Sequence, residues 1–217
     1  MARSAARRPL KTRRRRWAID LARWFTARGV PPNAISISSI VLAAIAAAAL
    51  IALPGVPRLT QAVLLLLTAA LIQLRLLANM LDGMVAVEGG RKSPTGDLFN
   101  EVPDRIADIL FLVAAGYAVG GLLGPILGWT AALFAVLTAY VRVLGGSLGL
   151  PQDFRGPMAK PHRMATLTAA CLLSIVETLV WPSHGRVLAA ALVIIALGSL
   201  VTAARRLRSI AEALRSR

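Results

Sequence analysis

Residues 34–53 read AISISSIVLAAIAAAALIAL, twenty in a row without a charge. A helix rises about 1.5 Å per residue, so such a run is about 30 Å long, the thickness of a bilayer's hydrocarbon layer. It is longer than the apolar segment of a secretory signal and lacks a small-residue cleavage pattern, so it is expected to stay as a first membrane helix. Outward from it, charge-poor runs recur at 59–81, 106–121, 126–145, 163–181 and 187–204. The chain is 57% hydrophobic with a mean hydropathy of +0.67, too apolar for water to be its main solvent. A membrane barrel would alternate apolar and polar residues in ten-residue strands, and these runs are apolar all round. The expected fold is all-α and polytopic. Residues 1–33 form a basic tail and an N-terminal interfacial amphipathic helix, 34–204 a six-helix transmembrane catalytic domain, and 205–217 a second basic tail. Cys171 falls within the fifth apolar run, where it reads as a small buried hydrophobe.

The net charge of +15 raises the question of nucleic acid, and the placement of the 25 basic residues answers it. Ten lie in residues 3–28 and five in 205–217. Arg91, Lys92 and Arg105 flank the second-to-third connection, and Arg142, Arg155, Lys160 and Arg163 lie at the fourth-to-fifth. Only Arg58 and Arg186 remain for the opposite side, an asymmetry that puts both termini in the cytoplasm of a cell inner (plasma) membrane. The basic tail then reads as an attraction to anionic membrane lipids, about 1 kcal/mol per charge near the surface, and no nucleic acid is expected. Trp17, Leu21, Trp24 and Phe25 recur at helical spacing, as in a helix lying in the interface. Gly29-Val30-Pro31-Pro32-Asn33 breaks that helix before the first span.

Of ten acidic residues, Asp82, Glu88, Asp97, Glu101, Asp104 and Asp108 crowd into positions 82–108. Ionisable groups at membrane depth are costly and mark functional sites by default. Arg75, Asn79, Asp82 and Ala86 form one stripe at the end of the second span, with Gly83 leaving room beside it. Gly96, Asn100, Asp104 and Asp108 form another stripe entering the third span. Carboxylates and amides facing each other, with basic residues near, suit Mg²⁺ or Mn²⁺ bound with a phosphate-bearing substrate. The plain alternative is that Arg75 and the acids pair to lock the bundle.

The spacing Asn79-x-x-Asp82-Gly83-x-x-Ala86-Val87, eight residues, then Gly96-x-x-x-Asn100-x-x-x-Asp104 resembles the signature of the CDP-alcohol phosphotransferases. That signature reads Asp-x-x-Asp-Gly-x-x-Ala-Arg-x8-Gly-x3-Asp-x3-Asp. The likeness extends to Pro32-Asn33 before the first span and to Lys160-Pro161-His162-Arg163 before the fifth. It implies transfer of a phosphatidyl or phospho-alcohol group from a CDP-linked lipid donor, CDP-diacylglycerol above all, to a small or lipid alcohol acceptor with release of CMP. It implies Asp104 as general base; Asp82, Asn79, Asn100 and Asp104 as metal ligands; and Gly83, Ala86, Gly96, Arg75 and Arg91 at the CDP moiety. Arg142, Lys160 and Arg163 would hold an acceptor or lipid phosphate, and a homodimer is expected by analogy.

Three positions depart from the signature: Asp becomes Asn79, Arg becomes Val87 and Asp becomes Asn100. An amide still offers a carbonyl oxygen to a hard cation, but losing two carboxylates leaves one well-held metal rather than two. Val87 cannot touch a phosphate, and Arg91 is the nearest replacement. Glu101 and Asp97 are further candidate ligands off the stripe. The competing expectation is a family member without turnover, which binds a nucleotide-lipid or a partner enzyme.

Overall fold

The structure, a computed structural model, describes residues 13, 15–88, 95–181 and 185–216. Its helices are α1 (Arg16–Ala27), α2 (Pro32–Ile51), α3 (Arg58–Glu88), α4 (Gly96–Val119), α5 (Leu123–Ser147), α6 (Lys160–Val180) and α7 (Arg186–Arg215), with one 3-10 turn at Leu53–Gly55 after α2. Prolines open α2 and α6 in their first turns, where the missing N–H costs nothing because no helical carbonyl precedes it. Gly185 starts α7 from the left-handed region, at φ 88°. Glu177, in the last turn of α6, then accepts from the backbone N–H groups of Arg186 (2.9 Å) and Val187 (3.3 Å). Glu177 is buried and caps α7.

The six long helices close into a ring in the order α2, α3, α6, α7, α5, α4, with α4 also touching α7 across it and α1 lying on α3. Leu50, Ile72, Phe111, Leu112, Leu167 and Leu192 fill the interior with no exposed surface. Large apolar side chains such as Val63, Leu133, Leu173 and Ile194 point outward, the inverse of a water-soluble bundle. Small residues allow the closest approach, between α4 and α5. A Cβ added to Gly116 would stand 2.5 Å from the Gly124 carbonyl oxygen, and one on Gly128 would stand 2.8 Å from that of Leu112.

Among the described residues, five helices are long and apolar enough to cross a membrane: Pro32–Gly55, Arg58–Val87, Leu123–Ser147, Lys160–Val180 and Arg186–Arg215. The sixth expected span falls in α4, which is 24 residues long but carries Asp104, Arg105 and Asp108 in its middle. Those charges are what separates it from the others, and they belong to the site. On α1 the expected apolar stripe divides. Ala18 and Ala22 are buried, Leu21 and Phe25 pack towards α3, and Trp17 and Trp24 stay half-exposed, with the Arg28 guanidinium 3.5 Å above the Trp24 ring.

Candidate active site

The two sequence stripes meet where α3 faces α4. Arg75, fully buried, donates from Nη2 to Asp104 Oδ1 at 2.8 Å and to the Asp104 carbonyl at 3.3 Å. Lys160, the first residue of α6, brings its ammonium onto Asp104 Oδ2. Asn79 completes the set. With its amide turned to suit its neighbours, its nitrogen donates to Asp104 Oδ1 (3.0 Å) and its oxygen accepts from Lys160 Nζ (2.8 Å). Three helices thus converge on one carboxylate, which remains slightly open to solvent.

Asp82 lies one turn beyond Asn79 on α3 and is held from another direction. Ser36, on α2, donates its hydroxyl to Asp82 Oδ2 at 2.7 Å, while Oδ1 is buried with no hydrogen-bond partner among the described residues. Such an orphaned oxygen is costly unless something positive meets it. Asp108, a turn beyond Asp104, takes Arg163 Nη2 at 2.8 Å, and Arg163 also donates from Nη1 to the Met158 carbonyl (2.9 Å) and the Thr138 hydroxyl (3.2 Å).

Beside this cluster lies a cavity of about 550 Å³. Asn79, Glu101 and Asp104 line it together with Arg105, Arg142, Lys160, Arg163 and Arg206, and Trp17 of α1 closes one side. The positive excess suits an anionic ligand. Glu101 crosses from α4 to α5, accepting from Arg142 Nη2 at 2.6 Å and from Arg105 Nη2 at 2.7 Å. Burial alone would push its carboxyl up, but the guanidinium of Arg142, then that of Arg105, outweigh it and hold Glu101 below the usual carboxylate range. Sequence reading offers Glu101 as a spare metal ligand; its oxygens are instead committed to these two arginines.

The other expected residues fall as follows. Arg142, Lys160 and Arg163 line the cavity together, whereas Arg75, Asp82, Gly83, Ala86 and Gly96 lie outside its lining. Arg75, expected at the CDP moiety, is spent on Asp104, with Nε and Nη1 buried and unpartnered among the described residues. Gly83 is buried on α3, and Gly96 opens α4 with free space where a side chain would start. Val87 is half-exposed. Arg91 lies outside the described residues, and so do the side chains of Asp97 and Asn100.

Two contributors escape the motif. Ser36 hides among the serines of an apolar run, and its only signal is a hydroxyl one turn after Pro32-Asn33. Arg206 reaches back from α7 to the Thr138 carbonyl (2.8 Å) and, through Nε, to that of Arg155 (2.9 Å). Its signal was the buried stripe Ile195, Ser199, Thr202 and Arg206 at helical spacing.

Asp82 Oδ1 has the chemistry a hard cation needs, while the oxygens of Asp104 and Asn79 are engaged by Arg75 and Lys160. Among the described residues, no three His, Cys, Asp or Glu side chains converge. Among the described residues, the donor set fits a divalent cation at Asp82.

No protein-family model matches the sequence. An archaetidylinositol phosphate synthase from Aeropyrum pernix is 35% identical over 105 residues, 48% of this chain and 53% of that protein. The chain therefore spans about half the length of the curated relative it matches. Among solved structures, the phosphatidylinositol phosphate synthase of Mycobacterium tuberculosis with CDP-DAG bound superposes with a TM-score of 0.74 at 20% identity, over 90% of this chain and 94% of that one. The same synthase in complex with manganese and citrate gives 0.72 at 19% identity, over 89% and 88%. The fold is that of the Mycobacterium tuberculosis synthase.

Proposed function

We propose that this protein transfers a phosphatidyl or phospho-alcohol group from a CDP-linked lipid donor, CDP-diacylglycerol above all, to the hydroxyl of a second alcohol, releasing CMP. The observation that carries this reading is the convergence of Asp82, Asn79 and Asp104 from the two motif helices at the edge of a basic cavity. Support also comes from the CDP-DAG and the manganese bound by the synthase that shares the fold.

In this reading the acceptor hydroxyl attacks the lipid-side phosphorus of the diphosphate. A new P–O bond forms, the bond to the CMP oxygen breaks, and the hydroxyl proton passes to Asp104. Arg75, Asn79 and Lys160 fix the Asp104 carboxylate in one orientation, which suits a group that must meet the proton at one place. Gly83, Ala86 and Gly96 leave the backbone open to the cytidine and diphosphate, and Arg91 is the proposed phosphate contact in place of Val87. Asp82, whose Oδ1 has no hydrogen bond among the described residues, would anchor a divalent cation, Mg²⁺ or Mn²⁺, with Asn79, Asn100 and Asp104 as further proposed ligands in competition with Arg75 and Lys160, and the ion would neutralise the charge that builds on the departing CMP. Arg142, Lys160, Arg163 and Arg206 give the cavity the charge to hold an acceptor that itself carries a phosphate. Around the site we take α4 as a sixth span, both termini as cytoplasmic and the assembly as a homodimer.

The test is CMP release from CDP-diacylglycerol with Mg²⁺ or Mn²⁺, across phosphorylated and unphosphorylated alcohols. Release with a phosphorylated acceptor, lost in Asp104→Asn, is the expected result; no release with any donor and acceptor removes the reading. The engagement of Asp104 by two cations favours one other reading, a nucleotide-lipid-binding subunit without turnover. Restoring the signature with Asn79→Asp, Val87→Arg and Asn100→Asp separates them. A dormant protein gains activity, and a specialised enzyme loses its own.

A further inference from the structure

Lys160 stands where a small cation would. Its ammonium lies between a carboxylate oxygen of Asp104 and the amide oxygen of Asn79, an all-oxygen, hard-donor setting. The carboxylates around it are already matched, and Arg105, Arg142 and Arg206 against Glu101 leave the cavity positive on balance. Asp82, Asp104 and Asp108 are buried on α3 and α4, and Arg75 of α3 and Lys160 and Arg163 of α6 face them. Carboxylates at positions 79 and 100, as in the resembling signature, would leave a surplus of negative charge for a metal to neutralise; Asn79 and Asn100 leave none.

We infer that the Lys160 ammonium is the resident cation of this site, held between Asn79 and Asp104 in place of a metal ion, so that a divalent ion binds tightly only together with a donor's diphosphate. The inference rests on the transferase reading for the identity of that donor. It also goes beyond the acceptor-side role given to Lys160 above, because it makes the same ammonium part of the metal economy of the site. A dication entering the free protein would meet no surplus of negative charge and the repulsion of an ammonium one ligand away. With a diphosphate present, the incoming negative charge pays for the dication.

The experiment is Mn²⁺ titration of the purified protein in lipid nanodiscs, read by electron paramagnetic resonance of free Mn²⁺, with and without CDP-diacylglycerol. The wild type is expected to bind Mn²⁺ at least about tenfold more tightly with CDP-diacylglycerol than without it. Lys160→Met is expected to bind Mn²⁺ alone at least about tenfold more tightly than the wild type, and Lys160→Arg to stay close to the wild type. Tight binding of Mn²⁺ alone to the wild type overturns the inference whether or not the variants fold. So does a thermally intact Lys160→Met that binds no better than the wild type, or a Lys160→Arg that gains as much as Lys160→Met. CMP release by the same wild-type preparation keeps the two ideas apart. A protein that turns over but shows no Lys160 effect loses the inference and keeps the transferase reading. One that gains Mn²⁺ affinity in Lys160→Met without ever releasing CMP keeps the inference and loses the reading.

Discussion

Asp104 gathers more of the site onto one side chain than any other residue, since Arg75, Asn79 and Lys160 all end on its two oxygens. On the proposed function, Asp104→Asn keeps the shape but removes both the base and the charge that Arg75 and Lys160 share, so CMP release should fall at least about a hundredfold and the melting temperature should drop with it. Ser36→Ala should act more gently, because it frees Asp82 without removing it; a rise in the Mn²⁺ concentration needed for half-maximal rate is the expected signature. Glu101 offers a pH test. Its carboxyl is held below the usual carboxylate range, so its contribution to stability is present above the unfolded value of 4.5 and disappears as pH falls through the lower folded value. Glu101→Gln should therefore cost about 1 kcal/mol at neutral pH, reduced by salt, and progressively less as pH drops below that value, measured as the melting difference between variant and wild type. Asp82 and Asp104 could be read from the chain because charge in an apolar sequence is conspicuous and helical spacing aligns it. Ser36 could not, since a serine in an apolar run satisfies its own backbone as readily as a distant carboxylate, and only the crossing of α2 over α3 decides which.

Among the elements, α4 carries the most conflicting demands. Its first half holds the charged groups of the site, and its second half packs against α5 through glycines that leave no room for a methyl group. Gly128→Ala should destabilise the bundle by about 1–3 kcal/mol, seen as earlier thermal unfolding in detergent, because the obstructing atom is a backbone carbonyl that cannot swing away. Helix positions were plain from hydropathy, and α3 and α4 extend past their apolar runs to carry both halves of the motif. The composition of α4 was harder to judge. Asp104, Arg105 and Asp108 look prohibitive for a span until their partners Arg75, Lys160, Glu101 and Arg163 are known, and those come from α3, α6 and α4 itself. The same holds for Glu177, which seems idle in the sequence because the N–H groups it receives belong to a helix that begins only after it.

At the level of the whole molecule, the ring order α2, α3, α6, α7, α5, α4 places the last helix beside the cavity, far along the chain from the motif. Nothing in the spacing of the acids announces this, since lipid-facing and bundle-facing surfaces are both apolar and only small residues and buried polar atoms distinguish them. Arg206→Ala should raise the KM of a phosphorylated acceptor about tenfold and leave that of the CDP donor unchanged, in steady-state CMP release. α7 is also a single rod of 30 residues, about 45 Å long. Its start is pinned by Glu177, and two thirds of the way along it delivers Arg206 to the cavity wall. A rod held at two points about 30 Å apart would act as a gauge of the bilayer it crosses. Lipids with shorter or longer acyl chains would press on its collar at Glu177, and the strain would emerge at the guanidinium. In vesicles of graded chain length, acceptor affinity should pass through an optimum while donor affinity stays flat, so that the thickness of the membrane becomes one of the quantities this protein reads.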